Sequence, residues 1–97
     1  MVPTKLADSE IDKFIDECPG HAVKDGALER TYAVTTYGQG VAFAVGVAMA
    51  AEKRDHHPDI LIGWGKVVVR WSTHDAGGIS ALDVEMARAA DALFAHG

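Results

Sequence analysis

Apolar residues recur at helical spacing near the start of the chain. Between residues 9 and 18 they fall at positions i, i+3, i+4 and i+7, on one side of a helix, and they are Ile11, Phe14, Ile15 and Cys18. Asp8 or Ser9 is expected to cap this helix, because short side-chain oxygens accept hydrogen bonds from its first free N–H groups. Pro19 and Gly20 end it. Residues 1–7 precede the pattern and are expected to form a loose lead-in.

Two further helices are predicted downstream. Residues 39–53 are apolar around most of the helix circumference, so this helix is expected to be covered on more than one side, by the sheet or by a copy of itself. Thr36 is placed to cap it. The third helix begins at Ser80-x-x-Asp83, a capping-box signal in which aspartate replaces the usual glutamate. Its predicted buried stripe consists of Leu82, Met86, Ala89, Ala90 and Leu93.

Alternating apolar and polar residues predict two β-hairpins. The strands of the first, residues 21–24 and 27–34, flank Asp25-Gly26, which supplies the positive φ angles that a two-residue turn requires. The strands of the second, residues 60–62 and 66–72, flank Gly63-Trp64-Gly65. The face of the last strand that is expected to be buried carries Val67, Val69 and Trp71.

The order of elements is therefore α-β-β-α-β-β-α. Hairpins imply antiparallel pairing, which predicts the α+β class: a two-layer sandwich with a four-stranded antiparallel sheet and three helices on one face. The 97 residues are enough for one domain, residues 1–97. A free edge of the sheet is a natural place for a second subunit, because the edge otherwise leaves backbone groups unpaired.

Composition narrows the function classes. The net charge is -5 and no basic run extends beyond Lys53-Arg54, so direct nucleic-acid binding is not expected. The apolar run 41–51 is about half the ~20 residues of a membrane span, and no signal peptide is recognised. The single cysteine, Cys18, fits a reducing compartment. The cytoplasm is the expected location.

Candidate chemistry is concentrated around two adjacent histidines where the second helix ends. The spacing is Glu52-x3-His56-His57-Pro58-x5-Trp64-x9-His74-x8-Asp83. Imidazole is the side chain whose ordinary pKa lies nearest to neutral pH, so it can both donate and accept protons there. This pattern predicts a reaction centre.

Two other interpretations of the histidines compete with this one. In the first, His56-His57-Pro58 only ends a helix, where imidazolium interacts favourably with the helix dipole and proline stops the helix. That account leaves His74 unexplained. In the second, the three histidines and a nearby aspartate (Asp55, Asp59 or Asp75) bind zinc. Adjacent histidines point in different directions, however, and the i, i+4 spacing of helical zinc motifs is missing, so no metal is predicted.

From about Pro19 to the last helix, the sequence resembles the pterin-4a-carbinolamine dehydratase family, also known as the dimerisation cofactor of a homeodomain transcription factor. The resemblance rests on the seven spaced positions from Glu52 to Asp83 and on Thr73-His74-Asp75-Ala76-Gly77-Gly78. It implies the architecture predicted above, with homodimers that sometimes pair into homotetramers. The implied activity is dehydration of 4a-hydroxytetrahydrobiopterin to the quinonoid dihydropterin, with no metal or organic cofactor.

The resemblance also implies roles for the site residues. His56, His57 and His74 are the predicted catalytic residues, with His57 and His74 closest to the departing hydroxyl and the N5 proton and His56 assisting. Five further residues are predicted to bind or orient the substrate or the imidazoles: Glu52, Asp55, Pro58, Trp64 and Asp83. Asp83 is expected to have a second role in capping the last helix, and the Trp64 ring is expected to line the pterin or to pack against the hairpin.

The chain departs from the usual family pattern at His21, where tryptophan normally follows Pro19-Gly20. This departure is compatible with a branch that has left catalysis. The alternative function is therefore a non-catalytic assembly or coactivator protein with a protein partner, for example a Rubisco assembly factor.

Overall fold

A computed structural model describes residues 4–97 of the chain. The predicted order α-β-β-α-β-β-α is confirmed, with one short 3-10 helix, His74–Ala76, added before the last α-helix. The α-helices are α1 (Asp8–Glu17), α2 (Tyr37–Arg54) and α3 (Ala81–His96). The strands are β1 (His21–Lys24), β2 (Ala27–Ala33), β3 (Asp59–Gly63) and β4 (Lys66–Trp71).

The four strands form one antiparallel sheet in the order β1-β2-β4-β3. The first hairpin turns at Asp25 and Gly26, whose φ angles of 49° and 77° are the left-handed values expected of this dipeptide. In the second hairpin Asp59 lies opposite Arg70 and Gly63 lies opposite Lys66. The order leaves β1 and β3 at the two edges of the sheet.

The core lies between the helices and one face of the sheet. The predicted inner face of β4 is confirmed as buried, and Tyr32 and Leu28 of β2 lie beside it. Met86 and Ala90 of α3 are buried as predicted, whereas Leu93 is exposed. On α2, one face is buried and the opposite face is exposed at Val41, Val45 and Met49. Within a single chain, α2 is therefore covered on one side only.

Of the three predicted helix caps, two are confirmed and one is wrong. Thr36 caps α2 through a reciprocal capping box with Gln39, and Ser80 forms the predicted box with Asp83 at the start of α3. The predicted cap of α1 by Asp8 or Ser9 is wrong, since Ala7 occupies the cap position and makes no side-chain hydrogen bond. The helix begins one residue earlier than the polar pattern suggests.

Part of the predicted loose lead-in is held by the fold. The Leu6 N–H donates to the Ile79 carbonyl at 2.8 Å, and Lys5 forms an isolated β-bridge with Ser80. Residues 1–3 of that lead-in lie outside the described residues. Among residues 4–97, no helix is long and apolar enough to cross a membrane.

Candidate active site

The histidine pair lies just beyond the last turn of α2, where the chain reverses direction. Asp55 adopts the left-handed conformation (φ 48°, ψ 44°), and the N–H of His56 donates back to the Ala51 carbonyl at 3.1 Å. This turn sends the side chains of His56 and His57 to different carboxylates. Pro58 then leads into the edge strand β3, a position where its missing N–H leaves no sheet bond unmade.

His56 is fixed by the fully buried carboxylate of Asp83. Its Nε2 lies 2.5 Å from Asp83 Oδ1, and its ring stacks on Trp71 with 6.0 Å between the ring centroids. A carboxylate that accepts several hydrogen bonds can only be the acceptor here, so Nε2 carries the hydrogen. The Nδ1 atom, which makes no hydrogen bond to another described residue, is thereby left free to accept a proton.

Asp83 also joins His56 to the segment that carries His74. The Thr73 hydroxyl donates to Asp83 Oδ2 at 2.7 Å, and the Ser80 N–H donates to the same oxygen at 2.8 Å. Since Thr73 directly precedes His74, the two separated stretches of the histidine pattern meet at one carboxylate. The sequence pattern assigns no role to Thr73, although the alternation that buries Trp71 of β4 also places Thr73 inside.

His57 forms a second, solvent-exposed pair with Glu52. The Nε2 of His57 lies 2.8 Å from Glu52 Oε1. The hydrogen bond with Glu52 is the main cause that raises the pKa of His57, and the negative charges of Glu52 and Asp55 act in the same direction. His57 therefore keeps its proton to higher pH than a free imidazole would.

His74 occupies the first position of the 3-10 helix and is exposed. Its side chain makes no hydrogen bond to another residue within 4–97. The turn closes at Gly77, whose φ of 72° favours glycine. Among the residues that the structure describes, His74 thus differs from His56 and His57 in having no carboxylate partner.

Trp64 lies at the end of β3 opposite to Pro58. It lies in the turn between β3 and β4 with 87% of its surface exposed. Trp64 stands six positions after Pro58, which corresponds to about 20 Å of extended chain. That its ring lines the pterin or packs against the hairpin stays a prediction.

Comparisons with known proteins identify the family of the chain. The sequence model described as Pterin 4 alpha carbinolamine dehydratase matches residues 4–93. The chain belongs to this family. A relative in Sulfurisphaera tokodaii, provisionally named pterin-4-alpha-carbinolamine dehydratase, is 38% identical over 89 residues, covering 92% of this chain and 96% of the relative. A relative in Halobacterium salinarum with the same provisional name is 42% identical over 81 residues, covering 82% of this chain and 89% of its own.

Solved structures give the same family assignment. A structure from Brucella melitensis described as a transcriptional coactivator/pterin dehydratase superposes with a TM-score of 0.86 at 29% identity, covering 93% of this chain and 98% of its own. A pterin dehydratase-like protein described as a RuBisCO assembly factor in the alpha-carboxysome superposes with a TM-score of 0.62 at 27% identity, covering 76% of this chain and 86% of its own. The pterin dehydratase fold is thus found in proteins with more than one described role.

One group of side chains in this family member could hold a cation. Ligand atoms of Glu52, Asp55 and His57 lie within 4.8 Å of one another, and all three residues are exposed. The group includes His57 but neither His56 nor His74. Because Glu52 already accepts the hydrogen bond of His57, an ion would have to displace that bond.

His21, the departure from the family pattern, lies in a separate polar network. Its Nε2 lies 3.0 Å from a carboxylate oxygen of Asp91, which also accepts hydrogen bonds from Arg30 at 2.8 Å and Tyr32 at 2.6 Å. Burial and the bond to Asp91 raise the pKa of the Tyr32 hydroxyl, so it remains a donor. Phe14 packs against the His21 ring with 5.0 Å between centroids. These contacts make His21 a core residue and not a member of the histidine site.

An apolar groove of about 420 Å³ lies elsewhere, between α2 and the C-terminal half of α3. Phe43, Leu93 and Phe94 contribute to its walls. It contains none of the predicted site residues.

Proposed function

We propose that the chain is a 4a-hydroxytetrahydrobiopterin dehydratase, a hydro-lyase that returns hydroxylated tetrahydropterin to the quinonoid dihydropterin during tetrahydropterin recycling. The observation that carries the proposal is the shared carboxylate: Asp83 accepts hydrogen bonds from His56 and from Thr73, the neighbour of His74. The proposed site thus combines proton-transferring groups from two stretches of chain. The family assignment supports the same substrate class.

The reaction requires one proton to be delivered and one to be removed. The C4a–O bond breaks as the hydroxyl takes up a proton and leaves as water. The N5 lone pair forms the C4a=N5 double bond, and the N5 proton passes to a base. Each positioned acid or base contributes roughly 10²–10⁴-fold to such a step. No electrons are gained or lost overall, so the balance is complete with side chains alone.

His57 is suited to the acid role, because its raised pKa keeps the imidazolium populated to higher pH than in a free imidazole. We assign the base role at N5 to His74, which has no carboxylate partner among the described residues. His56 assists through its free Nδ1, with Asp83 holding the ring. Asp55 and Pro58 are assigned to shaping the turn that directs the pair. The proposed protein acts as a homodimer or homotetramer in the cytoplasm, without metal, cofactor, nucleic acid or membrane.

The decisive experiment measures dehydration of the carbinolamine by the purified protein, with the absorbance of the quinonoid product as the readout. We expect acceleration above the spontaneous rate, and a loss of at least about 100-fold in kcat for His74→Ala. The matched control is His96→Ala, which changes an exposed histidine at the end of α3. A wild-type protein no faster than buffer would refute the dehydratase assignment, and an active wild-type protein matched by His74→Ala would refute the base role of His74.

The alternative, a non-catalytic assembly or coactivator protein, is favoured by one observation: the likeness to a described Rubisco assembly factor. It predicts that the wild-type protein and His74→Ala are equally inactive in dehydration yet equally able to bind a protein partner. The same assay therefore separates the two functions.

A further inference from the structure

His74 lies on a short turn that is closed by a backbone bridge. Thr73 and Gly78 pair in antiparallel fashion: the Thr73 N–H donates to the Gly78 carbonyl at 2.9 Å, and the Gly78 N–H donates back at 3.4 Å. Residues 74–77 form the turn between them. The His74 side chain makes no hydrogen bond to another residue that the structure describes, so the position of its imidazole depends on the backbone of this turn.

Lys5 and Leu6 lie against the other side of residues 78–80, the segment in which the chain returns from the turn. Successive residues of an extended segment direct their N–H and C=O groups to alternate sides. Both groups of Gly78 are used in the bridge that closes the turn, so those of Ile79 face away from that bridge. The Ile79 carbonyl accepts the Leu6 N–H at 2.8 Å. The returning segment is therefore held from both sides.

Side-chain packing adds to this backbone contact. A Cβ built on Gly78 would lie 3.1 Å from the Lys5 Cε and 3.5 Å from the Lys5 Cδ, so the aliphatic stem of Lys5 covers the glycine closely. Lys5 also pairs with Ser80 in an antiparallel bridge. Leu6 packs against the core, and Ile79 is buried. The contact thus combines a hydrogen bond, an apolar anchor and a lysine stem.

We infer that Lys5 and Leu6 are positioning residues, which hold the turn of His74 where its imidazole can remove the N5 proton. The inference rests on the proposed function for the role of His74. A base must come within hydrogen-bond reach of the proton that it removes, and a displacement of about 1 Å can lower the rate by about 100-fold. Loosening the turn should therefore lower kcat. KM should change little, because proton removal contributes to the transition state and not to substrate binding.

Amide hydrogen exchange tests the contact without any assay of activity. In Lys5→Ala and in Leu6→Pro, which lacks the donating N–H, we expect the Thr73 and Gly78 amides to exchange about ten-fold faster than in the wild type. Leu6→Ala keeps the N–H and shortens the same side chain, so its exchange rates should lie between those of the wild type and Leu6→Pro. The amides between β2 and β4 report global unfolding and are the internal control. Equal acceleration throughout the chain overturns the inference.

Steady-state kinetics test the consequence for catalysis. Lys5→Ala is expected to lower kcat by about ten-fold and to change KM by less than about two-fold. Lys5→Met keeps an unbranched stem over Gly78 without the charge, so it should restore kcat to within about two-fold of the wild type. The matched control is Lys13→Ala, an exposed change in α1 that should alter neither constant. A Lys5→Met variant as impaired as Lys5→Ala, or a change in KM alone, overturns the inference.

The two experiments separate failure of this inference from failure of the proposed function. If the wild-type protein does not dehydrate the carbinolamine, the dehydratase assignment fails, while exchange still decides whether Lys5 and Leu6 hold the turn. Unchanged exchange at Thr73 and Gly78 overturns the inference whatever the activity. Faster exchange with an unchanged kcat also overturns it, because the reaction would then not depend on how firmly the turn of His74 is held.

Discussion

His56 Nε2 and Asp83 Oδ1 lie 2.5 Å apart, although 27 residues separate them in the sequence. The carboxylate is fully buried and is also bound by the Thr73 hydroxyl and the Ser80 N–H. It therefore cannot turn toward solvent, and the imidazole hydrogen is held on Nε2. The capping interaction that starts α3 and the orientation of His56 depend on the same side chain.

Replacing Asp83 with asparagine should damage both roles. In Asp83→Asn the amide nitrogen must face either His56 or the Thr73–Ser80 donors, so at least one donor meets another donor. We expect kcat to fall by about 100-fold or more and the free energy of unfolding to fall by about 1–3 kcal/mol. Steady-state kinetics and urea unfolding measure the two effects. Asp12→Asn, on the exposed side of α1, is the control and should change neither.

The pH dependence of kcat should report the Glu52–His57 pair. Because Glu52 raises the pKa of His57, the acid form persists to higher pH, and activity should fall only as pH rises through that raised pKa. Glu52→Gln removes the charge, so the alkaline limb of the profile should move to lower pH. Glu10→Gln, an exposed change in α1, should leave the profile in place. An alkaline limb unmoved by Glu52→Gln would show that His57 is not the acid.

Much of this fold is predictable because local rules and the tertiary structure agree. The Asp25-Gly26 turn, the Thr36 cap and the Ser80–Asp83 box need only short-range geometry, and all three are present. The predicted cap of α1 is wrong because the helix begins at Asp8, with Ala7 at the cap position. A pairing between residues farther apart in the sequence, such as Thr73 with Asp83, has no local sequence signal of its own. The strand alternation predicts only that Thr73 is buried.

The position of Trp64 shows a different limit of prediction from sequence. The motif spacing treats Trp64 and the histidines as one set, and a hairpin carries residues five or six positions apart to opposite ends of a strand. Spacing along a chain therefore does not say how far apart two side chains of a motif lie in the folded protein.

The caps of α1 and α2 give a matched test of the helix assignments. Thr36→Ala removes the acceptor for the Gln39 N–H, which is bound at 3.1 Å, and should lower the free energy of unfolding by about 1 kcal/mol. Ser9→Ala removes a side chain that caps nothing and should change it by less than about 0.5 kcal/mol. Urea denaturation of both variants measures the difference. Equal losses would mean that Ser9 does cap α1.

Returning His21 to the tryptophan usual in the family should destabilise this protein without impairing its site. The larger ring would have to fit between Phe14 and Asp91. Asp91 would lose its hydrogen bond with the imidazole, and the indole N–H would have to be repositioned to replace it. We expect His21→Trp to lower the free energy of unfolding by about 1–3 kcal/mol. His21 pairs with Arg30, then Val69 and Ile60 across the sheet, about 14 Å from β3, so kcat of the folded protein should stay within about two-fold. A large gain in kcat with unchanged stability would instead mean that His21 marks a weakened catalyst.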